Sequence, residues 1–194
     1  VRMGTVIPAV IMLLLALTAD VGAAEGVSTE TEAEEEAKLC PDPQRPCQKN
    51  VRIVLKQRDG STFDKTFPVF QSIVQDDFFT VVPGQTVNVE ADIVDGKVVV
   101  KRAVDVVTDA EHTFTAKFEQ KPDGSMWFQM TNPFDRALKF QLGIMGMDGA
   151  VHRTSSCPLA PNGAGAREIW NEPIFQVLIM EGRVAQDHEL DVCA

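Results

Sequence analysis

In the stretch 86-TVNVEADIVDGKVVV-100, Val87, Val89, Ala91 and Ile93 alternate with Asn88, Glu90 and Asp92, and a second apolar run follows the pair Asp95-Gly96. Period-two alternation gives an extended segment one face on a core and one in water. Asp-Gly suits a type I′ hairpin turn, in which both central residues need positive φ. A β-hairpin is expected here.

Working outward, the same signature recurs. Asp59-Gly60, Asp123-Gly124 and Asp148-Gly149 each stand between apolar or alternating segments. Phe114, Ala116 and Phe118 alternate with polar residues, as do Leu138, Phe140, Leu142 and Ile144. Val51–Lys56 and Ile174–Met180 are more continuously apolar and suit strands covered on both sides. Pro83-Gly84 and Asn132-Pro133 add turns. No segment keeps a helical apolar period over three turns, so little helix is expected, at most one turn near Val69–Gln75. Nine or so short antiparallel strands predict an all-β fold, an antiparallel β-sandwich of immunoglobulin-like type with short hairpins. A β-barrel is the alternative, because both share the period. Asn132–Arg153 resembles a strand–turn–strand unit common in bacterial immunoglobulin-like domains.

Ahead of the strands the chain changes character. Arg2 precedes the apolar run Val6–Leu17, and Gly22, Ala23 and Ala24 are small. That order predicts a secretory signal peptide over residues 1–24, cleaved after Ala23 or Ala24. The run falls short of the ~20 residues a spanning helix needs. No later segment is longer or more apolar, so the mature chain is expected without an integral membrane segment, periplasmic or secreted. Val1 in the first position suggests a non-AUG start codon and hence a bacterial source. Residues 25–39 hold six Glu against Lys38 and no aromatic residue. They are expected to form an acidic disordered spacer, with which a short helix over 32–38 is compatible. Residues 40–194 then make a single domain.

With 18 Lys+Arg against 28 Asp+Glu, the formal net charge is −10. A nucleic-acid partner is excluded on that balance, since affinity for a phosphate backbone comes from Lys and Arg. Cys40, Cys47, Cys157 and Cys193 are an even set in an exported chain, which points to disulfides. Of three possible pairings, 40–47 with 157–193 is preferred. The first closes a short loop holding Pro41, Pro43 and Pro46, and the second ties down the C-terminal tail.

Catalytic signatures are absent from the sequence: no nucleophile elbow, zinc-protease motif, Walker loop or dinucleotide fingerprint. No catalytic residue and no cofactor are assigned. Asp105, Asp109 and Glu111 lack the spacing of a calcium loop. Trp127, opposite Met126 and Phe128 in its strand, puts an aromatic ring where polar residues are usual. Trp170 follows the long loop Pro158–Glu168. Both are candidate partner-binding residues, with packing under a loop or over the end of the sandwich as the plainer role. A two-residue turn at Asp148-Gly149 would pair Met145 with His152 and Met147 with Ala150. Met145, Met147 and His152 would then share one face as soft ligands suited to Cu(I).

These readings converge on an exported, non-catalytic binding or interaction module of the bacterial cell envelope. Its partner would be a protein or envelope component with a basic or apolar surface. The alternatives are an inhibitor of an extracellular hydrolase that presents the 158–168 loop, a periplasmic copper-binding protein and, further off, a secreted hydrolase.

Overall fold

Phe114 is fully buried, and its ring centroid lies 6.3 Å from that of Phe79 and 5.6 Å from that of Phe140. The three rings come from three strands and mark where two β layers meet. The computed structural model describes residues 31–163, 165 and 167–193. The expected signal peptide and residues 25–30 of the expected spacer lie outside them. In chain order come helix α1 (Glu32–Leu39) and strands β1 (Gln48–Lys56), β2 (Thr62–Phe70), β3 (Val74–Gln75) and β4 (Phe78–Val81). Next are β5 (Thr86–Val94), β6 (Lys97–Val104), β7 (Thr113–Gln120) and β8 (Met126–Met130). Strands β9 (Leu138–Met145), β10 (Val151–Thr154), β11 (Arg167–Trp170) and β12 (Gln176–Val184) follow, then a short 3-10 turn, Asp187–Glu189.

All strand pairings are antiparallel. The main ladder runs β10-β9-β12-β6-β5-β7-β8-β11, with β4 on β12 and β3 on β4. It turns a corner along β12. The first half of β12 lies between β9 and β4, while its second half meets β6 only through Arg183 and Lys97. Between the halves the register shifts at Glu181 and Gly182, with Glu181 at φ 50°. A Cβ at Gly182 would stand 2.5 Å from Phe140 Cε1 and 2.8 Å from Val98 Cβ, so any larger residue at this bend forces its neighbours to shift. The corner divides the ladder into two layers, β10-β9-β12-β4-β3 and β6-β5-β7-β8-β11. Their inner faces supply Phe79, Val177 and Ile179 on one side and Val89, Phe114 and Phe118 on the other. Among the described residues the ladder does not close on itself, so the fold is an all-β sandwich rather than a barrel.

The β1–β2 hairpin forms its own ladder and adds Val51, Ile53 and Leu55 to the same core. Phe63, Phe67 and Phe70 of β2 gather around Phe175, at centroid distances of 6.1 to 6.3 Å. Contrary to the expectation of two-sided cover, β1 alternates: Val51, Ile53 and Leu55 are buried, and Val54 is 44% exposed. The segment near Val69–Gln75, where a helical turn was expected, continues β2 and opens β3 instead.

In the acidic segment the short helix compatible with the spacer over 32–38 forms and runs one residue further. Glu32–Leu39 is helical although none of its residues is buried. Local terms explain it. Thr31 and Glu34 form a reciprocal capping box, Glu32, Glu34 and Glu35 sit at the positive end of the helix dipole, and Lys38 sits at the negative end. Glu36 pairs with Lys49 at 2.5 Å, and the Cys40–Cys47 disulfide follows at once. A second disulfide joins Cys157 to Cys193. Beside it the buried Lys139 ammonium donates to the carbonyls of Ser156 and Val192, which holds the tail on β9.

Candidate interaction face

Turn chemistry decides where the hairpin side chains go. Only Asp95-Gly96 has positive φ at both residues, with Val94 paired to Lys97 around a two-residue turn. At the other three Asp-Gly pairs only the glycine has positive φ. Each of those turns is three residues long. Gln57 N–H donates to Ser61 O, Lys121 N–H to Ser125 O, and Gly146 N–H to Ala150 O. In each, the Asp carboxylate accepts the N–H two residues on, from Ser61, Ser125 or Ala150 at 2.9 to 3.0 Å. Ser61 and Ser125 add their hydroxyls, which lowers the Asp59 and Asp123 carboxyls below their ordinary value.

The extra residue corrects the proposed copper cluster. Met145 pairs with Val151 and His152 with Ile144, so Met145 and His152 leave the ladder on opposite faces. Met147 sits in the turn. It shares with His152, Asp59 and Glu172 a shallow depression of about 560 Å³ at the loop end of the sandwich, but Met145 does not line it. No group of three or more His, Cys, Asp or Glu that could hold a metal occurs among the described residues.

The two tryptophans stand on neighbouring strands but point apart. Trp170 pairs with Met126 and packs inward, its ring edge 6.3 Å from Phe118. Trp127 pairs with Glu119 and Ile169 and points outward. Its ring carries Lys121 Nζ at 5.0 Å and Arg167 Cζ at 4.9 Å, and its Nε1 donates to Ser125 Oγ at 2.9 Å. Trp127 therefore already has partners within its own sheet. The 158–168 loop is also tied down: Leu159 pairs with Leu138, and the buried Asn132 amide donates to the carbonyls of Arg136, Leu159 and Ala160. Glu168 accepts the Cys157 N–H at 3.1 Å, and burial pushes its carboxyl above the ordinary value.

The outer faces of the two layers differ in kind. On β6-β5-β7-β8-β11 most charged outward residues neutralise one another, around the exposed Val99 and Ile169. Arg102 pairs with Glu90 at 2.7 Å, Asn88 accepts from Thr115 at 2.8 Å, and Glu119 meets both Lys121 and Lys117. Hydrogen bonds from Arg102 lower the Glu90 carboxyl, and those from Lys121 and Lys117 lower that of Glu119.

The outer face of β10-β9-β12-β4 carries an apolar cluster among a few polar residues. Directly paired residues of antiparallel strands share a face. Val151, Met145 and Gln176 thus form one row, and Arg153, Gly143, Leu178 and Thr80 the next. Gln141 and Met180 continue it, with Phe78 two residues before Thr80 on β4. Met145, Leu178, Met180 and Phe78 are half-buried, and Val151 is 47% exposed. None of them belongs to the core or packs against it. Two polar atoms on this face, Thr80 Oγ1 and Gln176 Nε2, are buried without a hydrogen-bond partner among the described residues.

Reading the sequence for single exposed aromatics and for metal ligands missed this face. The signal was the two-sided apolar run Ile174–Met180. One side of it, Val177 and Ile179, enters the core, whereas Leu178 and Met180 lie half-buried outside it.

The fold and this face define a class: a disulfide-tied, all-β sandwich with one ion-paired outer sheet and one apolar outer sheet. No family model matches the chain, and no curated protein or solved structure proved similar to it. Among the described residues no helix is long and apolar enough to cross a membrane.

Proposed function

We propose that this chain is an exported, non-catalytic binding module of the bacterial cell envelope, and that it engages its partner through the outer face of β10-β9-β12-β4. The observation that carries the reading is the contiguous row structure of Val151, Met145, Leu178, Met180 and Phe78, partly exposed apolar side chains that lie outside the core on the outer side of this layer. A sheet face of that kind is stable in water only when small or covered, and exposed contiguous apolar surface marks interaction sites. Three methionines on or beside it, Met145, Met147 and Met180, give flexible and polarizable contacts. Two disulfides fit the oxidising compartment that a signal peptide over 1–24 would reach, periplasmic or external. The net charge of −10 favours a partner that is basic as well as apolar.

The test is affinity capture from envelope extract with the mature chain and with Leu178→Gln in parallel. The reading expects a component retained by the first and lost by the second. Components retained equally by both contradict it.

A further inference from the structure

Resting on the reading above, we propose that the occupant of this face is a cationic amphipathic helix supplied by a partner protein. Three features of the face select it. The first is its shape. Its rows run across four strands from the edge strand β10 to β4, so a strand added along β10 would leave Leu178, Met180 and Phe78 uncovered. A helix laid across is the layer that covers a sheet face. The second is a socket. Gly143 has no side chain, and its place is covered by flexible or small groups. A Cβ there would stand 3.0 Å from Met180 Cε and 3.3 Å from Val151 Cγ1. Both groups are ends of partly exposed side chains, and swinging the thioether aside opens a seat for one apolar anchor between Met145 and Leu178.

The third feature is charge. Asp76 and Asp77 precede Phe78, Glu181 follows Met180, and Asp148 lies in the turn after Met145. Asp76 is shared with Arg45, and Glu181 with Arg153 of the second row. In both pairs at least one side chain is more than nine-tenths, or both more than half, exposed, so an incoming cation replaces them at little cost. A second copy of this chain would instead bring its own charge of −10 against these carboxylates.

The probe is a labelled peptide, LKKLLKLLKKLLKL, titrated against the mature chain by fluorescence anisotropy. Its analogue with Glu for every Lys, and anionic phosphatidylglycerol vesicles, are titrated in parallel. The proposal expects saturable binding of the Lys peptide, weakened roughly tenfold or more by Leu178→Gln or by Met145→Gln. Circular dichroism confirms that each variant is folded. Changing Asp76, Asp77 and Glu181 together to their amides should weaken binding about fivefold and flatten its salt dependence. Equal binding of the Glu analogue overturns the proposal. So does insensitivity to both face variants, preference for vesicles over peptide, or a dimer, seen by sedimentation, that excludes the peptide. Where the peptide fails yet capture from extract still depends on Leu178, the helix proposal falls and the reading of the face stands.

Discussion

Leu178 faces Gly143 directly across the β9–β12 ladder, and the methyl of Met180 lies over the space that Gly143 leaves empty. The pair makes the centre of the apolar sheet a covered dent rather than a ridge. Because the groups over it are movable, Gly143→Ala should fold and lose no more than about 1 kcal/mol, read as a small shift in Tm. A loss several times larger would mean that Met180 is held rigidly and cannot act as a lid.

Gly182 is the opposite case. A Cβ there would press on the Phe140 ring and on Val98, at the bend where β12 passes from one layer to the other. Gly182→Ala should cost about 1–3 kcal/mol by overpacking, measured by urea denaturation. A neutral result would show that the corner between the layers is not set by this contact.

The C-terminal tail has a redundant tether, the Cys157–Cys193 bridge and the Lys139 ammonium on the Val192 carbonyl. By loop-closure entropy alone, paired Cys157→Ala and Cys193→Ala should lose on the order of 3–4 kcal/mol. Protease digestion should then release the last residues first. Unchanged Tm and unchanged digestion would contradict a structural role for this bridge.

Glu189 and Arg183 make a close pair at 2.5 Å, and hydrogen bonding to Arg183 lowers the Glu189 carboxyl to about 2 from 4.5. A depressed folded pKa means the ionised group stabilises the fold above the unfolded value. That contribution is lost as pH falls from 4.5 towards 2. The Tm difference between the native chain and Glu189→Gln should therefore be present at neutral pH and vanish near pH 2. A difference that persists undiminished at low pH would mean the pair acts through packing alone.

Much of this architecture was legible in the residues. The alternation in 87–93 and 138–144 becomes β5 and β9, and the bridge pairing follows from which cysteines could tie down a loop and a tail. Less legible was turn length. Asp-Gly reads alike in a two-residue and a three-residue turn, yet one added residue reverses the face of every side chain beyond it, and so it separated Met145 from His152. The helix at Glu32–Leu39 was legible only as compatible with the acidic segment, because composition speaks for burial while capping and dipole terms act without any. The apolar face was hidden for a third reason. An apolar strand tells how much surface needs cover, but whether a layer lies over it is decided by the path of the whole chain.

Site-specific photo-cross-linking tests the central claim most directly. A benzophenone side chain at position 178 lies on the apolar outer sheet, and the same group at position 115 lies on the ion-paired outer sheet. Irradiated in the producing cell's envelope, the chain labelled at 178 should form a discrete adduct with a basic partner, and the chain labelled at 115 should form none. Adducts from 115 and none from 178 would contradict the assignment of the binding face.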